Sequence, residues 1–229
     1  MAQIVAMGGG GFGSDEGRLI DDFVLGLTGR DTPRVCFVPT AGGDAEDWIE
    51  RFHAVFGGGR AAPSHLSLFR REVDHLAGLL LHQDVVYVGG GNTANMLAIW
   101  RLHGVDTILA EAWRRGVVLC GPSAGGLCWF EGGTTDSFGG IAPLHDGLGL
   151  LPGSFCPHFD SEPLRRPLYR RFVEEGLPAG FAADDAAALR FEGTRLAEAV
   201  AARPGAGAYC VELEDGAAVE RPIACRLLA

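Results

Sequence analysis

The sequence has no run of basic residues long enough to track a phosphate backbone, and its formal net charge is −10. Both facts argue against nucleic acid as a partner. No apolar run reaches about 18 residues, so no membrane span is predicted. Residues Met1–Met7 run straight into glycines without a basic region or a cleavage-site pattern, so no signal peptide is expected. Six cysteines, at 36, 120, 128, 156, 210 and 225, lie far apart. They form no Cys-x-x-Cys pair and no Cys/His cluster with zinc spacing, which argues against a structural zinc site. Cys36 and Cys120 fall inside apolar runs. The expectation is reduced, buried thiols in a cytoplasmic protein that needs no metal and no organic cofactor. No linker or internal repeat divides the 229 residues, so one α/β domain over 1–229 is expected.

Glycine, by contrast, is abundant: 35 residues, with no Gly-X-Y period, gathered at a few places that read as tight turns. Short apolar runs alternate with helical patterns along most of the chain. Strands are expected at Ile4–Met7, Arg34–Val38, His65–Leu68, Val85–Val88 and Val117–Cys120. Helices are expected at Gly17–Leu27, Asp44–Phe56, Val73–Leu80, Ala94–Leu102, Thr107–Arg114 and Ala124–Phe130. This alternation predicts an α/β fold, a mostly parallel sheet with helices on both faces. After residue 180 the pattern changes. Ala187–Phe191, Tyr209–Leu213 and Ala217–Leu227 read as strands between Gly, Pro and Asp turns, an antiparallel C-terminal extension on one edge.

The turn Gly121-Pro122-Ser123-Ala124-Gly125-Gly126 follows the strand that ends at Cys120 and precedes a helical stretch. Strand, tight turn, helix is the setting that the G-x-S-x-G pattern requires. Small flanking residues let the chain fold sharply beneath Ser123 and project its hydroxyl at the carboxyl end of the sheet. The unpaired N–H groups of the new helix favour negative charge there, and the Ala124 N–H is the natural first oxyanion donor. The bland alternative is a helix-capping serine. A second turn, Gly89-Gly90-Gly91-Asn92-Thr93, lacks the G-x-G-x-x-G spacing of a dinucleotide loop. Its backbone N–H groups are a candidate second oxyanion donor. Gly8-Gly9-Gly10-Gly11 is expected at the same edge.

A serine hydroxyl needs a neighbouring base. Of seven histidines, His145 and His158 lie downstream of Ser123. His158 closes an apolar strand, with Pro157 fixing the backbone before it. The imidazole in turn needs an acceptor for its other N–H. Asp136, Asp160, Asp184 and Asp185 are the candidates, and spacing does not separate Asp136 from Asp185.

The segments Val88–Thr93, Gly121–Gly126 and Pro157-His158-Phe159, in this order, resemble the peptidase E family, which contains aspartyl dipeptidases and cyanophycinases. The resemblance covers roughly residues 4–190. It implies a fold like that of class I glutamine amidotransferases (flavodoxin-like), with Ser123 as nucleophile and His158 as base. It places Asp136 or Asp185 as the acid, and Gly90 and Ala124 as oxyanion donors. In the family an arginine after the histidine is thought to hold the substrate's aspartate. The segment differs here, and Arg166, extended before Pro167 and pointing into the crevice, is the expected counterpart. A helix is expected to start at Pro167.

The expected activity is hydrolysis of amide bonds in small peptides through an acyl-enzyme, the peptide being the expected partner. An esterase of the α/β-hydrolase type predicts a base histidine near the C-terminus, and none follows His158. A non-catalytic binding module predicts loss of the nucleophile or the base. An exposed C-terminal strand leaves a homodimer open.

Overall fold

The computed structural model describes residues 1–229. The first half of the chain supplies β1 (Gln3–Met7), α1 (Asp15–Gly26), β2 (Arg34–Val38), α2 (Glu46–Phe56), β3 (Ala62–His65), α3 (Leu76–Leu80) and β4 (Val85–Val88). Next come α4 (Thr93–His103), α5 (Val105–Arg114), β5 (Val118–Pro122) and the single turn α6 (Ala124–Leu127). The second half adds β6 (Phe130–Thr135), β7 (Ala142–Leu144), β8 (Leu151–Cys156), α7 (Arg165–Glu174) and β9 (Gly180–Ala183). It ends with β10 (Ala187–Glu192), β11 (Arg195–Ala201), β12 (Ala208–Glu214), β13 (Ala217–Ile223) and β14 (Cys225–Leu227).

The main sheet runs β14-β11-β10-β1-β5-β4-β2-β3. Five consecutive strands, β1-β5-β4-β2-β3, are parallel to one another. β10 and β11 add antiparallel at the β1 edge. The expected mostly parallel sheet with an antiparallel extension is therefore present. Its strands read as continuous apolar runs because they are buried along their length: in β1, β2, β4 and β5 all but the first residue of β1 and of β2 are buried. β3 sits at the edge, where Pro63 costs no ladder bond to a neighbour beyond it.

A second sheet, β13-β12-β9-β8-β6-β7, was not expected. Phe130 does not end a helix; it opens β6 after α6 has made one turn. The stretch Ala217–Leu227 is not one strand but two, β13 in the second sheet and β14 in the main one. Phenylalanines join the sheets. Phe191 of β10 meets Phe130 of β6 edge-on at 5.7 Å and Phe181 of β9 at 5.4 Å, and Phe130 stacks on Phe155 of β8 at 5.2 Å. Burying each such ring is worth roughly 1.5–3 kcal/mol. No helix is long and apolar enough to cross a membrane.

The topology leaves the carboxyl ends of four adjacent parallel strands, β1, β5, β4 and β2, side by side. Each runs directly into a loop: Gly8–Gly11, Ser123, Gly89–Gly91 and Pro39 respectively. Open α/β sheets place their sites at such an edge.

Candidate active site

Ser123 sits between β5 and α6 with φ 55° and ψ −116°, a region that non-glycine residues avoid. Holding a residue there costs of order 1–3 kcal/mol, which the surrounding fold must offset. The Ser123 N–H donates to the Met7 carbonyl (3.2 Å), tying the turn to β1. Gly125 makes the turn sterically possible, because a β-carbon there would stand 2.2 Å from the Val88 carbonyl oxygen. The Ser123 side chain does not cap α6. Ser14 shows the contrast: it takes the capping position of α1 and accepts from the Gly17 N–H at 3.0 Å. The Ser123 hydroxyl faces open space instead, lining two cavities that meet beside it.

His158 also lines both cavities and also has φ 55°. Its backbone is pinned from two sides. The His158 N–H donates to the Gly8 carbonyl (3.1 Å), and the next N–H, on buried Phe159, donates to Ala183 (3.2 Å). His158 Nδ1 lies 2.8 Å from Asp185 Oδ1. That bond, followed by the Ser161 hydroxyl and the Arg203 charge, holds the Asp185 carboxyl below its ordinary pKa against the opposing effect of burial. An Nδ1–H donated to Asp185 leaves Nε2 as the lone-pair nitrogen. No hydrogen bond joins Ser123 Oγ to His158 in this conformation. Such contacts often tighten only when substrate is present.

Of the two aspartates that spacing left unresolved, only Asp185 touches the imidazole. Asp136 lines the smaller cavity with its side chain 64% exposed, and its ion partner is Arg165 at 3.9 Å. Asp160 holds Asp185 from behind: its Oδ1 accepts from the Asp185 N–H (2.8 Å) and its Oδ2 pairs with Arg203 (2.7 Å). Asp184 points away and accepts from Gly207. His145 is exposed and lines neither cavity.

Gly90 lies against the nucleophile turn, its β-position 3.5 Å from Ser123 Cβ. Ala124 is the first residue of α6, so its N–H has no acceptor within the helix. Gly90 and Ala124 thus both lie beside Ser123. The Gly8–Gly11 loop lies at this edge as expected, and Gly9 within it packs directly against the His158–Asp185 pair. Gly9 bridges Asp185, and a β-carbon on Gly9 would stand 1.8 Å from Asp185 Oδ1 and 2.6 Å from His158 Nδ1.

The expectation for Arg166 is overturned. Arg166 is helical, inside α7, which starts at Arg165 rather than at Pro167. Its guanidinium binds Glu220 (2.9 and 2.5 Å) and lies over Phe159 and Tyr209, outside both cavities. The preference of a pre-proline residue for extended backbone yields here because Pro167 falls in the first turn, where its missing N–H breaks no bond. The arginine that reaches the crevice is its neighbour. Buried Arg165 lines the smaller cavity, donates to Glu162 (2.7 Å) and to the Thr134 carbonyl (2.8 Å), and has no exposed face to offer a bulky anion.

The smaller cavity, about 280 Å³, is polar and is bounded by Asn92, Asp136, Ser137, Glu162 and Arg165. The larger, about 570 Å³, is walled by Phe12, Phe37, Trp48 and Tyr87, with Arg51 among its lining residues. No cluster of three or more His, Cys, Asp or Glu side chains is placed to hold a metal ion.

Residues 4–199 match the model of peptidase family S51. The chain is 46% identical over 230 residues, spanning 100% of both chains, to an uncharacterized peptidase of Bacillus subtilis (strain 168), YgaJ. It is 26% identical over 161 residues to an uncharacterized peptidase of Listeria innocua, covering 65% of this chain and 73% of that one. Among solved structures, a peptidase from an acI-B1 Actinobacterium superposes with a TM-score of 0.70 at 16% identity, over 98% of this chain and 95% of that one. A putative peptidase E protein from Listeria monocytogenes EGD-e superposes with a TM-score of 0.65 at 19% identity, over 89% and 100%. These two share the fold.

Proposed function

The chain belongs to peptidase family S51, and on that premise we propose that it is a serine peptidase acting on small peptides, with Ser123 as nucleophile, His158 as base and Asp185 as the acid that orients it. The observation that carries the reading is the His158–Asp185 bond of 2.8 Å opening onto the cavities that Ser123 lines. His158 Nε2 takes the Ser123 proton as Oγ attacks the scissile carbonyl. The carbonyl oxygen, now carrying the negative charge, is held by the Ala124 and Gly90 N–H groups. His158 then passes its proton to the leaving amine. Water, deprotonated by the same nitrogen, releases the acyl group and restores Ser123.

Asp136 has no contact with His158 and takes no part in the proton transfer; it lines the smaller cavity as a charge facing substrate. No step calls for a metal or an organic cofactor. The test is hydrolysis of a dipeptide library by the wild type, Ser123→Ala and His158→Ala. Both variants are expected to lose turnover by at least about three orders of magnitude. Wild-type rates in either would end the proposal.

A further inference from the structure

We propose that the larger cavity, with Arg51 at its rim, binds an apolar carboxyl-terminal residue of a short peptide, which leaves as the amine when the acyl group passes to Ser123. The proposal rests on the peptidase reading above and names the substrate class of that site.

The cavity wall is aromatic. Phe12 stands edge-on to Phe37, Trp48 and Tyr87, with ring centroids 5.3, 5.6 and 5.5 Å apart. Phe12, Phe37 and Tyr87 are buried, and Trp48, on α2, forms the outer wall and is 47% exposed. A volume of about 570 Å³ is large enough for a leucine or phenylalanine side chain together with part of the backbone. An acidic side chain placed among these rings would lose its hydration and would compete with the peptide's carboxyl terminus for Arg51.

The rim supplies a cation. The chain has no lysine, so all 19 of its Lys/Arg side chains are arginines. Most of these pair with a carboxylate, including Arg165 beside the smaller cavity. Arg51 has no carboxylate within 4.0 Å. It lies over the Trp48 ring (5.4 Å) and donates one hydrogen bond, to the Gly13 carbonyl at 2.9 Å. A guanidinium has five N–H donors, and the others remain for an incoming anion. Asp47, one turn earlier on α2, lines the same rim unpaired with Arg51. An apolar chamber with an unpaired guanidinium at its edge fits a residue that has an apolar side chain and a free carboxylate. The smaller cavity complements this, since Asp136 and Glu162 outnumber Arg165 there and suit the ammonium at the other end of a dipeptide.

The experiment measures kcat/KM for dipeptides in which Ala, Met, Asp or Arg is joined to Phe, Leu, Gly or Asp, and for the Phe peptides as carboxyl-terminal amides. Wild type, Arg51→Ala and Trp48→Ala are compared, and Ser123 labelling by a fluorophosphonate is followed in the same preparations. Phe and Leu peptides are expected to exceed Asp and Gly peptides by about tenfold or more, and Trp48→Ala to narrow that gap. Amidation is expected to cost the wild type about tenfold or more and Arg51→Ala little. A preference for Asp at the carboxyl-terminal position, no preference, an equal amidation cost in both proteins, or no dipeptide cleavage by an enzyme that labels at Ser123 each overturns the inference while leaving the serine reading intact. Absence of both labelling and cleavage would instead bring down the peptidase reading on which it stands.

Discussion

A β-carbon on Gly9 would stand 1.8 Å from Asp185 Oδ1, so the first loop of the chain and the carboxylate beside His158 occupy adjoining space with nothing between them. Gly9 is not among the glycines with positive φ. The position needs a glycine for room and not for backbone freedom. Gly9→Ala is therefore expected to fold and to push Asp185 and His158 apart. The expected loss is about 100-fold in kcat, as for other angstrom-scale displacements of catalytic groups. Kinetics beside a far-ultraviolet circular dichroism spectrum checks both halves.

Asp185→Asn and Asp136→Asn separate the two aspartates that the sequence offered as alternatives. Only Asp185 reaches His158. Its amide variant is expected to lower kcat by about 10²–10⁴-fold through loss of the tautomer that leaves Nε2 free. Asp136→Asn is expected to act mainly on KM, because its carboxylate lies out in the smaller cavity. Steady-state kinetics of the two variants decides between them.

The strand–turn–helix geometry around Ser123 was legible because its signals are local. A buried strand, a run of small residues and a helix start lie within ten positions of one another. The parallel sheet was legible for the same reason: β1, β2, β4 and β5 are short apolar runs between helices. The second sheet was not. β6 carries Gly132 and Gly133, a pair of low strand propensity, although Gly132 is there because the Leu144 carbonyl comes within 2.3 Å of its β-position. Arg166 differs from its expected place because the local preference before proline is outweighed by contacts made far along the chain, the pair with Glu220 and the burial of Arg165 and Tyr169 on the neighbouring face of α7. Asp185 and Gly9 are far apart in sequence, and spacing holds no trace of their contact.

Burial pushes the Cys36 and Cys156 thiols up to about 12, and it pushes Cys120 and Cys128 well above the ordinary thiol range. Thiolate is the reactive form. Iodoacetamide at neutral pH is therefore expected to leave peptidase activity unchanged, even though Cys120 lies three residues before Ser123. Residual activity after alkylation is the measurement.

Asp21 is buried in α1 with neither carboxyl oxygen hydrogen-bonded, 3.8 Å from Arg60, which also pairs with Asp22. Burial is the main cause that raises its pKa from 3.8 to about 7, with the Arg60 charge opposing. The folded state thus holds a proton that the unfolded chain releases, and stability falls as pH rises from about 3.8 to about 7. Asp21→Asn removes the titration. Relative to the wild type, the variant is expected to gain about 2–3 kcal/mol between pH 5 and pH 8.5. Denaturant unfolding of both proteins at the two pH values tests the sign as well as the size.

The strained turn at Ser123 and the His158–Asp185 pair beside it carry the whole account, and covalent trapping tests them most directly. Intact-mass and peptide mapping after treatment with a fluorophosphonate are expected to find one adduct, on Ser123, absent from Ser123→Ala and strongly slowed in His158→Ala. An adduct on any other residue, or peptide hydrolysis that persists in Ser123→Ala, would contradict it.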